Sequence, residues 1–132
     1  KKYKMAAASP IDPELYPFKR SEEEWREVLN EEEYEILRLC GTESYNKGEY
    51  CQFFPKTGHF MCRGCKFPLY ASTSKFKDQG WDGYQDCFYT DDFCHVSVRG
   101  SKNHCEIACS NCGSHLGHVF YGERHTSTGE RH

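Results

Sequence analysis

At 132 residues, with 37% hydrophobic side chains and a net charge of −3, the chain has room for one domain and one modest core. Its charge forms no basic patch, which sets aside nucleic acid as the main partner, and no apolar run is long enough for a membrane span. Nine cysteines, an odd number, cannot all pair within the chain. They imply either a secreted disulfide framework or intracellular metal and redox chemistry, and spacing has to decide between them.

The first stretch, residues 1–19, holds Ala-rich and Pro-rich pieces (AAASPIDP, YPF) and is predicted to be a flexible arm. No signal peptide is visible. "SEEEWREVLNEEEYEILRLCG" carries helical signals. Ser21 with Glu24, and Asn30 with Glu33, have capping-box spacing. Two short helices bent near Asn30 are expected, with Gly41 as the stop. The acids that open each helix suit its dipole and otherwise read as solvated faces.

After Gly41 the character changes. "GHFMCRGC", "FPLYAS", "DCFYTDD", "CHVSVRG", "CEIACSNC" and "HLGHVFYG" are short aromatic and β-branched runs broken by turn residues. The fold class expected is mainly β: two antiparallel sheets in a sandwich or partly open barrel, with short helices at the front.

Two Cys-x-x-Cys units stand out, Cys62-Arg63-Gly64-Cys65 and Cys109-Ser110-Asn111-Cys112. Two such knuckles complete a tetrahedral four-cysteine zinc site with no open position, so one structural Zn²⁺ is expected. The competing reading is two separate redox dithiols or scattered buried thiols. Such a metal would close a long loop and clamp a lean core. "HCE" at His104 to Glu106 mimics the H-x-E of zinc deaminases. Cys109 follows it almost at once and without a preceding Pro, so that reading fails.

In "SHLGHVF", His115 and His118 are three apart. Both imidazoles could face one pocket and handle protons near neutral pH, or both could be satisfied structural residues. Trp81 in "GWDGY" lies between glycines, as a loop-presented aromatic would; most tryptophans are simply core.

Together these pieces resemble a family. The helical segment, "YCQFF…GHFMCRGCKFPLYASTSKF", "GW", "CSNCGSHLGHVF" and "TSTGERH" follow the order and spacing of the B-type methionine sulfoxide reductases, specific for the R epimer. The resemblance runs from about Ser21 to His132 and implies a domain over residues 20–132. It implies zinc on Cys62, Cys65, Cys109 and Cys112, Trp81 against the substrate methyl group, and His115 and His118 on the sulfoxide oxygen. Arg131 matches the arginine beside the nucleophile, where a cation favours a thiolate. The substrate implied is oxidised methionine, free or in proteins, and the reductant a thioredoxin-like protein. A reducing intracellular compartment, cytoplasm or plastid, is expected.

The family's nucleophile, a cysteine or selenocysteine, stands two residues after that arginine, at position 133. The sequence stops at His132, before it and before the family's final strand. A fragment, a selenocysteine codon read as a stop, and an authentic stop each account for this, and the chain as it stands is expected to be inactive. The sequence also departs from the pattern at Gln79, where many members carry a resolving cysteine, and it lacks the usual Pro after the Trp. Cys40 is the expected substitute, with Cys87, Cys94 and Cys105 as rivals and Cys51 behind them. The alternative function is a non-catalytic, zinc-clamped β-module that binds oxidised Met segments or a protein partner.

Overall fold

The acidic segment after Ser21 folds as its capping signals require. In the computed structural model, which describes residues 11–77, 80–91, 93–101, 104–121 and 130–132, helix α1 spans Glu22–Val28 and α2 spans Glu31–Leu37. Both capping boxes are closed: Glu24 N–H donates to Ser21 Oγ at 3.2 Å and Glu33 N–H to Asn30 Oδ1 at 2.8 Å, each with the reciprocal bond. Leu29 caps the end of α1 and Asn30 caps the start of α2. Two adjacent caps leave no residue to continue the helix, hence the bend.

Trp25, Leu29 and Tyr34 form the buried face of the pair. Burying a side chain of this kind contributes about 1.5–3 kcal/mol. The helical segment ends differently from expectation. Cys40, not Gly41, takes the left-handed backbone, at φ 58°. Gly41 is needed for close approach: its N–H reaches Glu35 O at 2.9 Å, and an added Cβ would sit 3.0 Å from that oxygen.

The rest of the described chain is antiparallel β. In order the strands are β1 His59–Met61, β2 Pro68–Ala71, β3 Lys75–Phe76, β4 Gly83–Tyr84, β5 Tyr89–Thr90, β6 Phe93–Cys94, β7 Val96–Ser101, β8 His104–Cys109, β9 His115–His118, β10 Phe120–Tyr121 and β11 Glu130–Arg131. The mainly β reading with two front helices is met. The strands pair as one three-stranded sheet, β7-β8-β9, and four two-stranded ones, β1-β2, β3-β4, β5-β6 and β10-β11. Gly, Pro and Asp recur too often for longer ladders. Single backbone bonds join the pieces. Tyr84 and His132 exchange both N–H···O bonds, at 3.2 and 2.8 Å, which sets β11 against β4. Phe88 N–H donates to Leu69 O at 2.9 Å and ties the β5-β6 hairpin to β2.

Of the arm expected over residues 1–19, residues 1–10 lie outside the described residues. The segment from Ile11 to Phe18 is docked. Ile11 and Tyr16 are buried, and Phe18 N–H donates to Asn111 O at 2.9 Å. Its apolar residues cover Gly113, whose absent Cβ would lie 2.4 Å from the Tyr16 ring.

Arg38, only 3% exposed, links the helices to the second knuckle. Its guanidinium stacks over Trp25 at 4.2 Å and donates to Cys112 O at 2.9 Å and Ser114 Oγ at 3.2 Å. Replacing Arg38 with Leu keeps apolar volume and strips these acceptors of their donor. The expected loss is about 2–3 kcal/mol by urea denaturation, with an unchanged m-value.

Candidate functional site

The two Cys-x-x-Cys turns meet. The first follows β1 and the second follows β8. Their sulfurs approach across the turns, Cys62 to Cys112 at 3.7 Å and Cys65 to Cys109 at 3.6 Å, and all four lie within 4.8 Å of one another. A disulfide would need about 2.05 Å, and all nine cysteines are free thiols. A metal at about 2.3 Å from four sulfurs sets tetrahedral edges near ~3.8 Å. The spacing therefore fits a tetrathiolate cation site.

Each turn is tight. Lys66 N–H donates to Cys62 O and Gly113 N–H to Cys109 O, both at 2.8 Å. Gly64 is required because a Cβ there would come within 2.9 Å of the Trp25 ring. Asn111 Nδ2 points at Cys65 Sγ at 3.5 Å. Burial lowers the Arg38 pKa, while the nearby Cys112 and Cys62 sulfurs oppose that shift. A tetrathiolate around a divalent cation keeps two negative charges, and Arg38 sets one positive charge beside them.

Three residues on from Cys112, β9 brings His115 onto β8. In register, Ala108 faces His115 and Glu106 faces His118, with an irregularity between Ile107 and Ala108. That irregularity turns His115 back toward Glu106: His115 Nδ1 lies 3.0 Å from Glu106 Oε1. The His115 and His118 rings are 5.8 Å apart, edge to face. Arg99, opposite Glu106 on β7, donates to the same oxygen from Nη2 at 2.6 Å and Nε at 2.9 Å. Cys40 Sγ approaches it at 3.6 Å from the turn after α2.

Four donors thus converge on one carboxylate oxygen. Burial pushes the Glu106 pKa up, but Arg99 and then His115 hold it below the ordinary carboxylate value. Burial raises the Cys40 thiol, Glu106 raises it further, and Arg99 pulls it back only in part. Cys40 is therefore a protonated thiol at rest.

Trp81 is presented rather than buried, at 41% exposure. Its Nε1–H donates to Glu43 O at 2.7 Å, and the Tyr45 ring stands edge-on to it at 5.2 Å. Gly80 takes φ +76°, and a Cβ there would run into the Tyr45 ring, so both backbone and space call for glycine. Beneath, the buried Lys75 amine donates to Phe53 O at 2.7 Å and to Tyr50 O, and pairs with Asp82 at 3.6 Å. Burial raises the Asp82 carboxyl and Lys75 opposes it. Cys51 Sγ donates to Gly80 O at 3.4 Å.

Arg131 lies on β11 with its guanidinium 4.2 Å over the Phe120 ring. The His132 ring meets Tyr70 OH at 3.1 Å and Glu130 Oε1 at 2.9 Å. The structure thus gathers Cys40, His115 and His118 at one corner. Trp81 and Arg131 belong to the segments that flank the Tyr84–His132 pair. Cys87 and Cys105 are half-buried, Cys94 is exposed and Cys51 is buried. Gln79, and residues 122–129 with most of "TSTGER", lie outside the described residues. The sequence singled out Glu106 only within the rejected deaminase pattern and gave no signal for Arg99 or Lys75. The facing of Arg99 and Glu106 across β7 and β8 is the signal that finds the first two.

Comparison with known proteins returns one family model, the SelR domain, over residues 29–132. Among curated relatives, peptide methionine sulfoxide reductase B5 of Oryza sativa subsp. japonica is 44% identical over 123 residues, covering 86% of this chain and 82% of that one. Peptide methionine sulfoxide reductase B5 of Arabidopsis thaliana is 42% identical over 136 residues, covering 96% and 86%. The chloroplastic reductase B3 of Oryza sativa subsp. japonica is 44% identical over 115 residues, covering 86% of this chain and 49% of that one.

The lowered Glu106 pKa has a signed consequence. An acid with a depressed folded pKa contributes stability that is fully present above its ordinary value of 4.5 and is lost as pH falls through the folded value. Urea denaturation across pH therefore shows Glu106→Gln less stable than the parent at neutral pH, with the gap closing in acid below 4.5. A gap that stays constant through acid contradicts the charge-held carboxylate.

Proposed function

The chain belongs to the SelR-domain family, and from that premise we propose that it reduces methionine-R-sulfoxide, free or within proteins, to methionine. The observation that carries this reading is the convergence of two registers. On β10 and β11, Phe120 pairs with Arg131, and on the other side Tyr84 pairs with His132. Continued two residues past Phe120–Arg131 and one past Tyr84–His132, these antiparallel registers set the position after His132 between His118 and Gly83, two residues from Trp81. That is the position where the family resemblance puts the nucleophile, a cysteine or selenocysteine. In this reading residues 20–132 belong to the catalytic domain.

The roles in this proposal are those the family resemblance implies. The exposed face of Trp81 offers the sulfoxide methyl group an apolar wall. His115 and His118 hold the sulfoxide oxygen and deliver its proton. The glutamate behind His115 keeps that ring oriented. Arg131 stabilises the attacking thiolate or selenolate. Attack on the substrate sulfur, with protonation of the oxygen, releases methionine and leaves a sulfenic or selenenic acid. The Cys40 thiol then attacks that atom, water leaves, and a disulfide or selenenyl sulfide forms. A thioredoxin-like dithiol donates two electrons to reduce it.

Zinc suits the four thiolates better than a hard cation, and the closed ligand set makes its role structural. It would tie the β1-β2 hairpin to β8 and β9. No helix among the described residues is long and apolar enough to cross a membrane. Free thiols throughout, together with a chloroplastic relative, support a reducing compartment, cytoplasm or plastid.

Metal analysis is expected to find about one zinc per chain, lost in Cys109→Ser together with cooperative folding. A metal-free chain that unfolds normally would remove the clamp from this account. For activity, a chain ending at His132 is expected to show no turnover, and one carrying Cys at position 133 to reduce the R epimer with dithiothreitol. In that extended chain His118→Gln lowers kcat by about 10²–10⁴-fold. Cys40→Ser retains a single turnover and stops at the sulfenic acid when thioredoxin is the donor. A folded, zinc-loaded, extended chain without turnover would favour the binding-module alternative.

A further inference from the structure

We propose that Cys40, Glu106 and His115 form a second divalent-metal site, of the zinc class, separate from the four-cysteine cluster. The three contribute one sulfur, one carboxylate oxygen and one imidazole nitrogen, all within 4.8 Å of one another. Cys40 Sγ to Glu106 Oε1 is 3.6 Å, and His115 Nδ1 to the same oxygen is 3.0 Å. Metal bonds of about 2.0–2.3 Å in a tetrahedral arrangement set ligand–ligand edges of about 3.3–3.6 Å. The side chains therefore need only small shifts. The mixed sulfur, nitrogen and oxygen set selects zinc or a neighbouring transition metal over calcium or magnesium.

A cation already occupies this corner. The Arg99 guanidinium reaches Glu106 Oε1 at 2.6 Å and Cys40 Sγ at 3.8 Å. Two features allow an ion to take its place. Arg99 is partly exposed, with its side chain at 30%, so it can turn toward solvent. It also keeps a second anchor in Tyr16 OH, 3.0 Å from Nη1. Cys40 has a left-handed backbone, and its thiol is already placed between Glu106 Oε1 and the Arg99 guanidinium. Such preorganisation lowers the ordering cost of capture.

The exchange balances. The metal ion enters, Cys40 loses its thiol proton to solvent, and the thiolate forms the metal–sulfur bond. His115 gives up the hydrogen bond to Glu106, shifts its ring proton from Nδ1 to Nε2 by exchange with solvent, and binds through Nδ1 as neutral imidazole, while Glu106 stays a carboxylate. Solvent fills the fourth position. One thiolate and one carboxylate neutralise the divalent charge. This site does not depend on the reductase reading. If that reading also holds, an ion here ties up His115 and the second thiol together, and it inhibits reversibly.

The test uses the full chain with its four-cysteine cluster filled. Calorimetric titration with Zn²⁺ is expected to show one further equivalent, with release of one proton per ion. Added Co²⁺ gives a sulfur-to-metal charge-transfer band. Losing even an outer partner weakens metal affinity about 10–100-fold. Cys40→Ser and Glu106→Gln are therefore each expected to weaken this equivalent at least ~10-fold, with the charge-transfer band lost in Cys40→Ser. Arg99→Gln, which removes the competing cation, tightens it. No second equivalent, or one that both ligand variants leave unchanged, overturns the proposal. Circular dichroism on each variant separates lost binding from lost folding, and the tightening in Arg99→Gln is a signal that misfolding does not produce.

Discussion

The gathering of four sulfurs is the constraint on which the rest of the molecule is arranged. It joins the turn after β1, on a short two-stranded hairpin, to the turn after β8, in the three-stranded sheet, far apart in sequence. The other parts lean on these turns. Arg38 brings the helix pair down onto the second turn, and Trp25 closes over Gly64 in the first. The Ile11–Phe18 segment covers Gly113. A chain with so lean a core substitutes one polyvalent junction for the interdigitated layer a larger domain would build.

A smaller junction of the same kind gathers around Glu106. Glu106 Oε1 collects Arg99, His115 and Cys40 from three different elements. An ionised carboxylate in such company fixes the orientation of an imidazole and holds a thiol in its protonated form. Lys75 does the corresponding work at the other corner. Its buried amine draws the carbonyls of the Tyr50–Phe54 segment and the Asp82 carboxylate together beneath Trp81. The indole is thus set on a braced loop, which lets an exposed aromatic keep one orientation.

What was legible in the sequence had a short-range cause. Ser21–Glu24 and Asn30–Glu33 satisfy helix ends within one turn, so pattern and structure coincide. The paired Cys-x-x-Cys turns carry their ligand geometry in their own spacing. The corner around Glu106 was not legible, because it depends on the β7–β8 register and on the irregularity at Ile107/Ala108. A shift of one residue would have turned Arg99 and Glu106 to opposite faces. The end of the helical segment misled for a related reason. Gly41 is the expected stop, yet it serves through its close approach to Glu35 O, and Cys40 before it takes the left-handed backbone. Likewise the Pro and Ala content of the first stretch concealed Ile11 and Tyr16, whose burial depends on a distant glycine.

The Tyr84–His132 pair makes β11 a slat laid between β4 and β10, both of which leave the ribosome before it. Until that slat arrives, two strand edges stand open to any extended peptide, and the wall beside His118 and Trp81 is unfinished. Synthesis order therefore lets a nascent chain close its two helices and pair β7 with β8 before the strand that joins β4 to β10 is in place.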